Sequence, residues 1–121
     1  MITEIKELEL ISETANMYAD GLQSGNIELL KKAFHPQAMM YGPSSAVEIG
    51  GLYDYVKASA APDQSGEPHR CVITKIDHTG NAASVQMYQE SYQGINYINY
   101  FQLLKIDGQW LIVSKSYDVI N

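Results

Sequence analysis

Apolar residues recur at spacings of three and four through the first part of the chain. Ile5, Leu8, Ile11, Ala15, Tyr18 and Leu22 fall on one face of a helix. Glu4, Glu7, Glu9, Glu13 and Asp20 lie off that stripe, which assigns them to solvent. Ser24-Gly25 stops this helix, because glycine readily takes the left-handed conformation that closes a helix. Asn26 then reads as the N-cap of a short second helix with Ile27, Leu30 and Phe34 inward, and Pro36 ends it. Ala38–Tyr41 reads as a short strand, and Gly42-Pro43-Ser44-Ser45 as a turn. A third helix is expected at about Leu52–Ser59, and a long loop over Ala58–Pro68.

The second half changes period from 3.6 to 2. Strands are expected at His69–His78, Ala82–Tyr92, Asn96–Ile106 and Gln109–Val119. Gly80-Asn81, Gln93-Gly94-Ile95 and Asp107-Gly108 are the turns of an antiparallel meander. A two-residue Asp107-Gly108 loop pairs Leu103 with Ile112, Phe101 with Ser114 and Asn99 with Ser116. A three-residue loop at Gln93–Ile95 pairs Gln89 with Asn99 and Met87 with Phe101. One sheet face then carries Val85, Met87, Gln89, Tyr97, Asn99 and Phe101, with Leu103, Ile112, Ser114, Ser116 and Asp118. It is expected to pack on the helices and to enclose a cavity. The other face carries Tyr88, Ile98, Tyr100, Gln102, Leu111, Val113 and Tyr117. That is too apolar for a water-facing side, so it is read as a homodimer interface, which its tyrosines suit.

Composition narrows the function classes. The 121 residues form one domain over 1–121, and 45% hydrophobic against 18% charged residues is a globular balance. Eight basic against fourteen acidic residues give a net charge of −6, which disfavours nucleic acid and anionic membranes as partners. The single cysteine, Cys71, excludes an internal disulfide and a cysteine-built metal site. The acidic start MITEIKELEL lacks the pattern of a signal peptide, and no apolar run approaches the ~18 residues of a membrane span. A cytoplasmic location is expected. The nine tyrosines call for hydroxyl partners, at a polar-lined pocket or a subunit interface.

Two stretches carry a resemblance. MYADGLQSGNIELLKKAFHPQAMMYG is similar to the opening of the nuclear transport factor 2-like superfamily, and NYFQLLKIDGQWLIVSKSY to its lumazine-binding-like group. The resemblance implies an α+β cone: three N-terminal helices on a strongly curved mixed or antiparallel sheet with an internal cavity. It also implies distant kinship with ketosteroid isomerase and polyketide cyclases. In ketosteroid isomerase a tyrosine and a protonated aspartate form an oxyanion hole beside a carboxylate base. Tyr18 falls at the tyrosine position and Asn99 at the aspartate position, but Gly42 falls where the base is expected. Glycine takes no proton, so steroid isomerisation by that mechanism is excluded.

These readings lead to a small-molecule-binding cone protein. Tyr18, Tyr41, Gln89, Tyr97, Asn99, Phe101, Ser114 and Ser116 are the expected ligand-binding set. An open space between Tyr18 and Asn99 is what that reading requires. The alternatives are an isomerase, dehydratase or cyclase using Asp118 or His35 as base, and a dimeric interaction adaptor. Neither a metal nor a cofactor is expected: His69 and His78 stand at opposite ends of one strand, and no metal-binding motif occurs.

Overall fold

The computed structural model describes residues 3–59 and 68–120, so most of the loop expected over Ala58–Pro68 lies outside the described residues. Helix α1 spans Glu4–Ser24, with Thr3 as N-cap accepting from the Lys6 amide. Gly25 closes it at φ +67, the left-handed region that penalises side chains. Asn26 caps α2, Ile27–Ala33, by accepting from the Leu29 amide. The chain turns extended at Phe34 and runs as β1 through Phe34–Gly42, longer than the strand the apolar run suggests. The expected turn shrinks to Pro43-Ser44, with Gly42 ending β1 and Ser45 opening a short β2, Ser45–Glu48, and α3 covers Gly50–Ala58. The meander follows as β3 Arg70–Thr79, β4 Ala82–Tyr92, β5 Ile95–Ile106 and β6 Gln109–Ile120.

The six strands form one mixed sheet in the order β2-β1-β6-β5-β4-β3. Only β1 and β6 are parallel. Ile11, Ala15, Leu30, Phe34, Val85 and Phe101 lie at the junction of helices and sheet, each at most 2% exposed. The α+β cone expected from the sequence is the observed fold. Among the described residues, no helix is long and apolar enough to cross a membrane.

The first helix departs from its expected face. Ile5 is 71% exposed, whereas Glu7 is buried. Glu7 Oε1 accepts from Lys105 Nζ at 2.6 Å, and its Oε2 from Trp110 Nε1 at 2.8 Å. A buried carboxylate needs such partners, and the β5–β6 hairpin supplies both. Helical periodicity cannot reveal a partner a hundred residues away.

Register is set by bulges as well as loops. The turn at Gln93-Gly94 holds two residues, not three: both have positive φ and Tyr92 pairs with Ile95. An extra residue then enters β4 between Gln89 and Tyr92, where Ser91 has φ +60 and its amide donates to Asn96 Oδ1. As a result Gln89 pairs with Tyr97, Met87 with Asn99 and Val85 with Phe101. Two errors of one residue cancel in parity, so Val85, Met87 and Gln89 on β4 and the inward set on β5 are as expected, while Tyr92, beyond the bulge, also turns inward.

In β6 there is no such cancellation. Leu103 pairs with Ile112, as expected, but Gln102 pairs with Ser114, which leaves Val113 as a bulge. Every later residue of β6 changes face. Phe101 therefore pairs with Lys115, not Ser114, and Asn99 with Tyr117, not Ser116. Lys115 and Tyr117 turn inward, while Ser114, Ser116 and Asp118 turn outward. This corrects the placement of Ser114, Ser116 and Asp118 on the cavity side and of Tyr117 on the outer face. The outer face retains Tyr88, Tyr100 and Leu104, each between 42% and 47% exposed, but gains three polar side chains. Ile98, on that face, is only 8% exposed within the single chain.

Candidate functional site

Helix α1 delivers Tyr18 to the inner face of the sheet as part of its apolar stripe. The ring meets Phe101 edge-on at 5.0 Å and Phe34 at 6.1 Å, and the residue is 2% exposed. Its hydroxyl donates to Gln89 Oε1 at 3.0 Å. The same oxygen accepts from Asn99 Nδ2 at 2.9 Å. Both expected donors thus converge on one acceptor, and that acceptor belongs to the protein. Gln89 fills the space between Tyr18 and Asn99, so the opening that the small-molecule-binding reading expected there is absent; the open space lies beside Tyr18 and Gln89 instead. Burial, above all, holds the Tyr18 hydroxyl well above the ordinary phenol value of 10.0, so it stays a neutral donor.

The network extends to the edge of the sheet. Gln89 Nε2 lies 3.2 Å from His69 Nε2, and His69 Nδ1 lies 2.7 Å from Gln23 Oε1. An amide oxygen only accepts, so His69 carries its proton on Nδ1 and receives Gln89 at Nε2. Cys71 Sγ is 3.5 Å from that same Nε2, and burial pushes its thiol up to about 12. A thiol so placed is not an activated nucleophile. Asn99 Oδ1 is buried without a hydrogen-bond partner among the described residues.

Beside this network lies a pocket of about 300 Å³. Tyr18 and Gln89 form its floor. Leu22, Met40, Val47 and Leu52 supply apolar wall, and Tyr55, Tyr92, Tyr97 and Tyr117 line it with phenol rings. Tyr97 was expected here from its place on the inner face; Tyr117 arrives through the Val113 bulge. Tyr97 and Tyr117 meet at 5.9 Å with their rings tilted by 69°.

The group that sequence reasoning missed is Lys115, which also lines this pocket. It is 5% exposed, and no Asp or Glu among the described residues forms an ion pair with it. Its Nζ donates to Met40 Sδ at 3.6 Å and stands 4.5 Å from the Tyr117 ring centroid and 5.2 Å from that of Tyr18. Desolvation lowers its pKa from 10.5 to about 7. The two ring faces oppose this, but cation–π attraction of about 0.5–2 kcal/mol returns at most about one and a half pH units. Desolvation wins, and a far larger share of the amine is neutral near pH 7 than in an exposed lysine. The run Leu111-Ile112-Val113, three apolar residues in an alternating strand, was the available sign of the bulge that turns Lys115 inward.

Other expected site residues stand elsewhere. Phe101 and Asn99 are fully buried beneath the floor. Tyr41 is 45% exposed, because Met40 takes the inward position beside it. Asp118 is exposed and accepts from the Val119 amide at 2.8 Å, and it does not line the pocket. His35 Nδ1 accepts from the Gln37 amide at 3.0 Å at the irregularity in β1, also away from the pocket. No base role can reach the pocket from either. Gly42, at the end of β1, has a specific reason to be glycine. A Cβ there would stand 2.8 Å from Cζ and Oη of Tyr117, so the phenol occupies the room that a side chain at 42 would need.

Comparison with known proteins follows from this geometry. Residues 6–118 match the family described as Putative lumazine-binding. The chain is 30% identical over 116 residues to Aldolase FrzH from a Cladobotryum species, covering 90% of this chain and 88% of that one. It is also similar to two solved NTF2-like proteins of unknown function. One, from Shewanella baltica, has a TM-score of 0.90 and 27% identity, with 98% of each chain covered. The other, from Methylobacillus flagellatus, has a TM-score of 0.85 and 28% identity, with 98% of this chain and 96% of that chain covered.

Proposed function

The chain belongs to the family described as Putative lumazine-binding, and from its pocket we propose that it binds a small, largely apolar molecule bearing a carbonyl group. The observation that carries this reading is Lys115. Its amine has donors but, among the described residues, only a thioether to receive them, in a wall made of phenols and aliphatic side chains apart from Gln89 and Ser45. The complement is a ligand with a flat apolar body and an oxygen acceptor. A volume of about 300 Å³ lies at the lower end of the roughly 300–1,000 Å³ of ligand sites, which favours a small ligand. The Cladobotryum relative is named an aldolase, and aldol chemistry takes place at carbonyl compounds; that name supports the ligand class.

The test is a matched series followed by NMR chemical-shift changes: acetophenone, its hydrocarbon counterpart ethylbenzene, and lumazine, itself a dicarbonyl heterocycle. The ketone should bind at least about tenfold more tightly than the hydrocarbon, in line with a hydrogen bond from a charged or strongly polar donor. Shifts should centre on Leu52, Tyr97 and Tyr117. Equal affinity for ketone and hydrocarbon, or shifts away from these residues, would remove the basis for the reading.

We also propose that the outer sheet face pairs two copies of the chain. Exposed Val72, Tyr88, Tyr100 and Leu104 support this, as an apolar band on an otherwise polar sheet face.

A further inference from the structure

We propose that Lys115 Nζ is a covalent attachment point in the pocket, condensing with the carbonyl carbon of the bound molecule to form an imine. The inference rests on the carbonyl-ligand reading above and goes further, from binding to bond formation. Four features of the site argue for it. First, Lys6, Lys31 and Lys105 each form an ion pair with a glutamate. Lys115 has no such partner among the described residues. Second, its one hydrogen-bond contact among the described residues is the Met40 thioether, a weak acceptor that cannot take a proton. The lone pair of the neutral amine is therefore left for the pocket. Third, the rings of Tyr18 and Tyr117 flank Nζ at 5.2 and 4.5 Å. They restrict where the amine points, and their faces suit the diffuse positive charge of a protonated imine. Fourth, the pocket wall is apolar apart from phenols, a floor amide and Ser45, which favours a condensation that expels water.

The step balances without an added reagent. The amine lone pair forms the C–N bond while the carbonyl π pair moves to oxygen. That oxygen gains the two protons that nitrogen gives up, and departs as one water molecule. A C=N bond remains. Nothing is oxidised or reduced, and added water reverses the step.

The test uses the full chain with acetylacetone, which condenses with a neutral amine to a conjugated enaminone absorbing at longer wavelength than tyrosine. Near pH 7 the band should appear in the parent and be absent from Lys115→Met and Lys115→Arg. Its formation should have a midpoint well below the about pH 10 that an ordinary lysine would need. Benzaldehyde with cyanoborohydride, followed by peptide mapping, should place the reduced adduct on Lys115 at least tenfold above any other of the seven lysines. Circular dichroism of both variants excludes unfolding as the cause of lost signal. Adducts spread over surface lysines would overturn the proposal. So would NMR-detected ketone binding in the pocket with no trapped adduct, and in that case the carbonyl-ligand reading would stand. If neither ketone binding nor an adduct is seen, both readings fall together.

Discussion

Replacing Lys115 by Met should make the protein more stable, by an amount that depends on pH. Methionine keeps the unbranched stem and similar volume but has no charge to desolvate. The lysine is held at about 7 in the folded chain, against 10.5 ordinarily. Between those values the unfolded state binds a proton that the folded state does not, so stability rises with pH across that window. Three and a half pH units at about 1.4 kcal/mol each amount to roughly 5 kcal/mol of cost at pH 7 and below. The ring contacts that Met forfeits return about 0.5–2 kcal/mol of this, so a net gain of roughly 3–4 kcal/mol is expected at pH 7. Urea unfolding reads it as a midpoint raised by about 1–3 M. From pH 7 to pH 9 the advantage of Lys115→Met should shrink by about 2 kcal/mol, as the parent gains stability. Cys71, whose burial also makes stability depend on pH, acts on both proteins alike and cancels in the difference. A gap that stays constant between pH 7 and 9, or a variant less stable than the parent at both, would refute the desolvated-amine account.

Other outcomes follow from the same structure. Gly42→Ala should displace the Tyr117 ring tip, weaken ketone binding and cost about 1–2 kcal/mol, with Tyr117→Ala absorbing most of the penalty in a double-mutant cycle. Gln89→Leu strands two buried donors, Tyr18 Oη and Asn99 Nδ2, and should cost about 3 kcal/mol in urea unfolding; a loss under about 0.5 kcal/mol would contradict the network. The Lys105 ammonium first, and then the Trp110 indole N–H, hold the Glu7 carboxyl below its usual 4.5. That stabilisation is present above pH 4.5 and lost as pH falls through the lower folded value. Trp110 fluorescence should follow the acid transition, with a shallower pH dependence in Glu7→Gln. Tyr100→Glu should halve the sedimenting mass of a dimeric parent; an unchanged dimer would exclude this face as the interface.

Much of the fold was legible in the chain because its signals are local. Asn26 and Gly25 mark helix ends through their own backbone chemistry, and Asp107-Gly108 marks a hairpin through positive φ at both residues. Alternation identified Gln89, Tyr97 and Asn99 as inward because a face depends only on parity, and parity survived two compensating shifts on β4. The pocket was less legible. Tyr18 and Asn99 were correctly brought close together, but Gln89, on the same face, meets both and takes the space between them. Asp118 and His35, the residues with the most conspicuous proton chemistry, stand outside the pocket.

Thus composition, periodicity and turn chemistry determined a single α+β cone, its helix ends, its meander and the aromatic character of its inner face. Tertiary structure alone decided what chemistry that face holds. One unpaired residue, Val113, exchanges Ser114, Ser116 and Asp118 for Lys115 and Tyr117 on the pocket side. The physical reason is the two-residue period of a strand: a shift of one position inverts every side chain beyond it. Whether such a bulge forms depends on packing against β1 and β5, not on the residues of β6 alone. The buried amine at the centre of the proposed chemistry is a consequence of that packing.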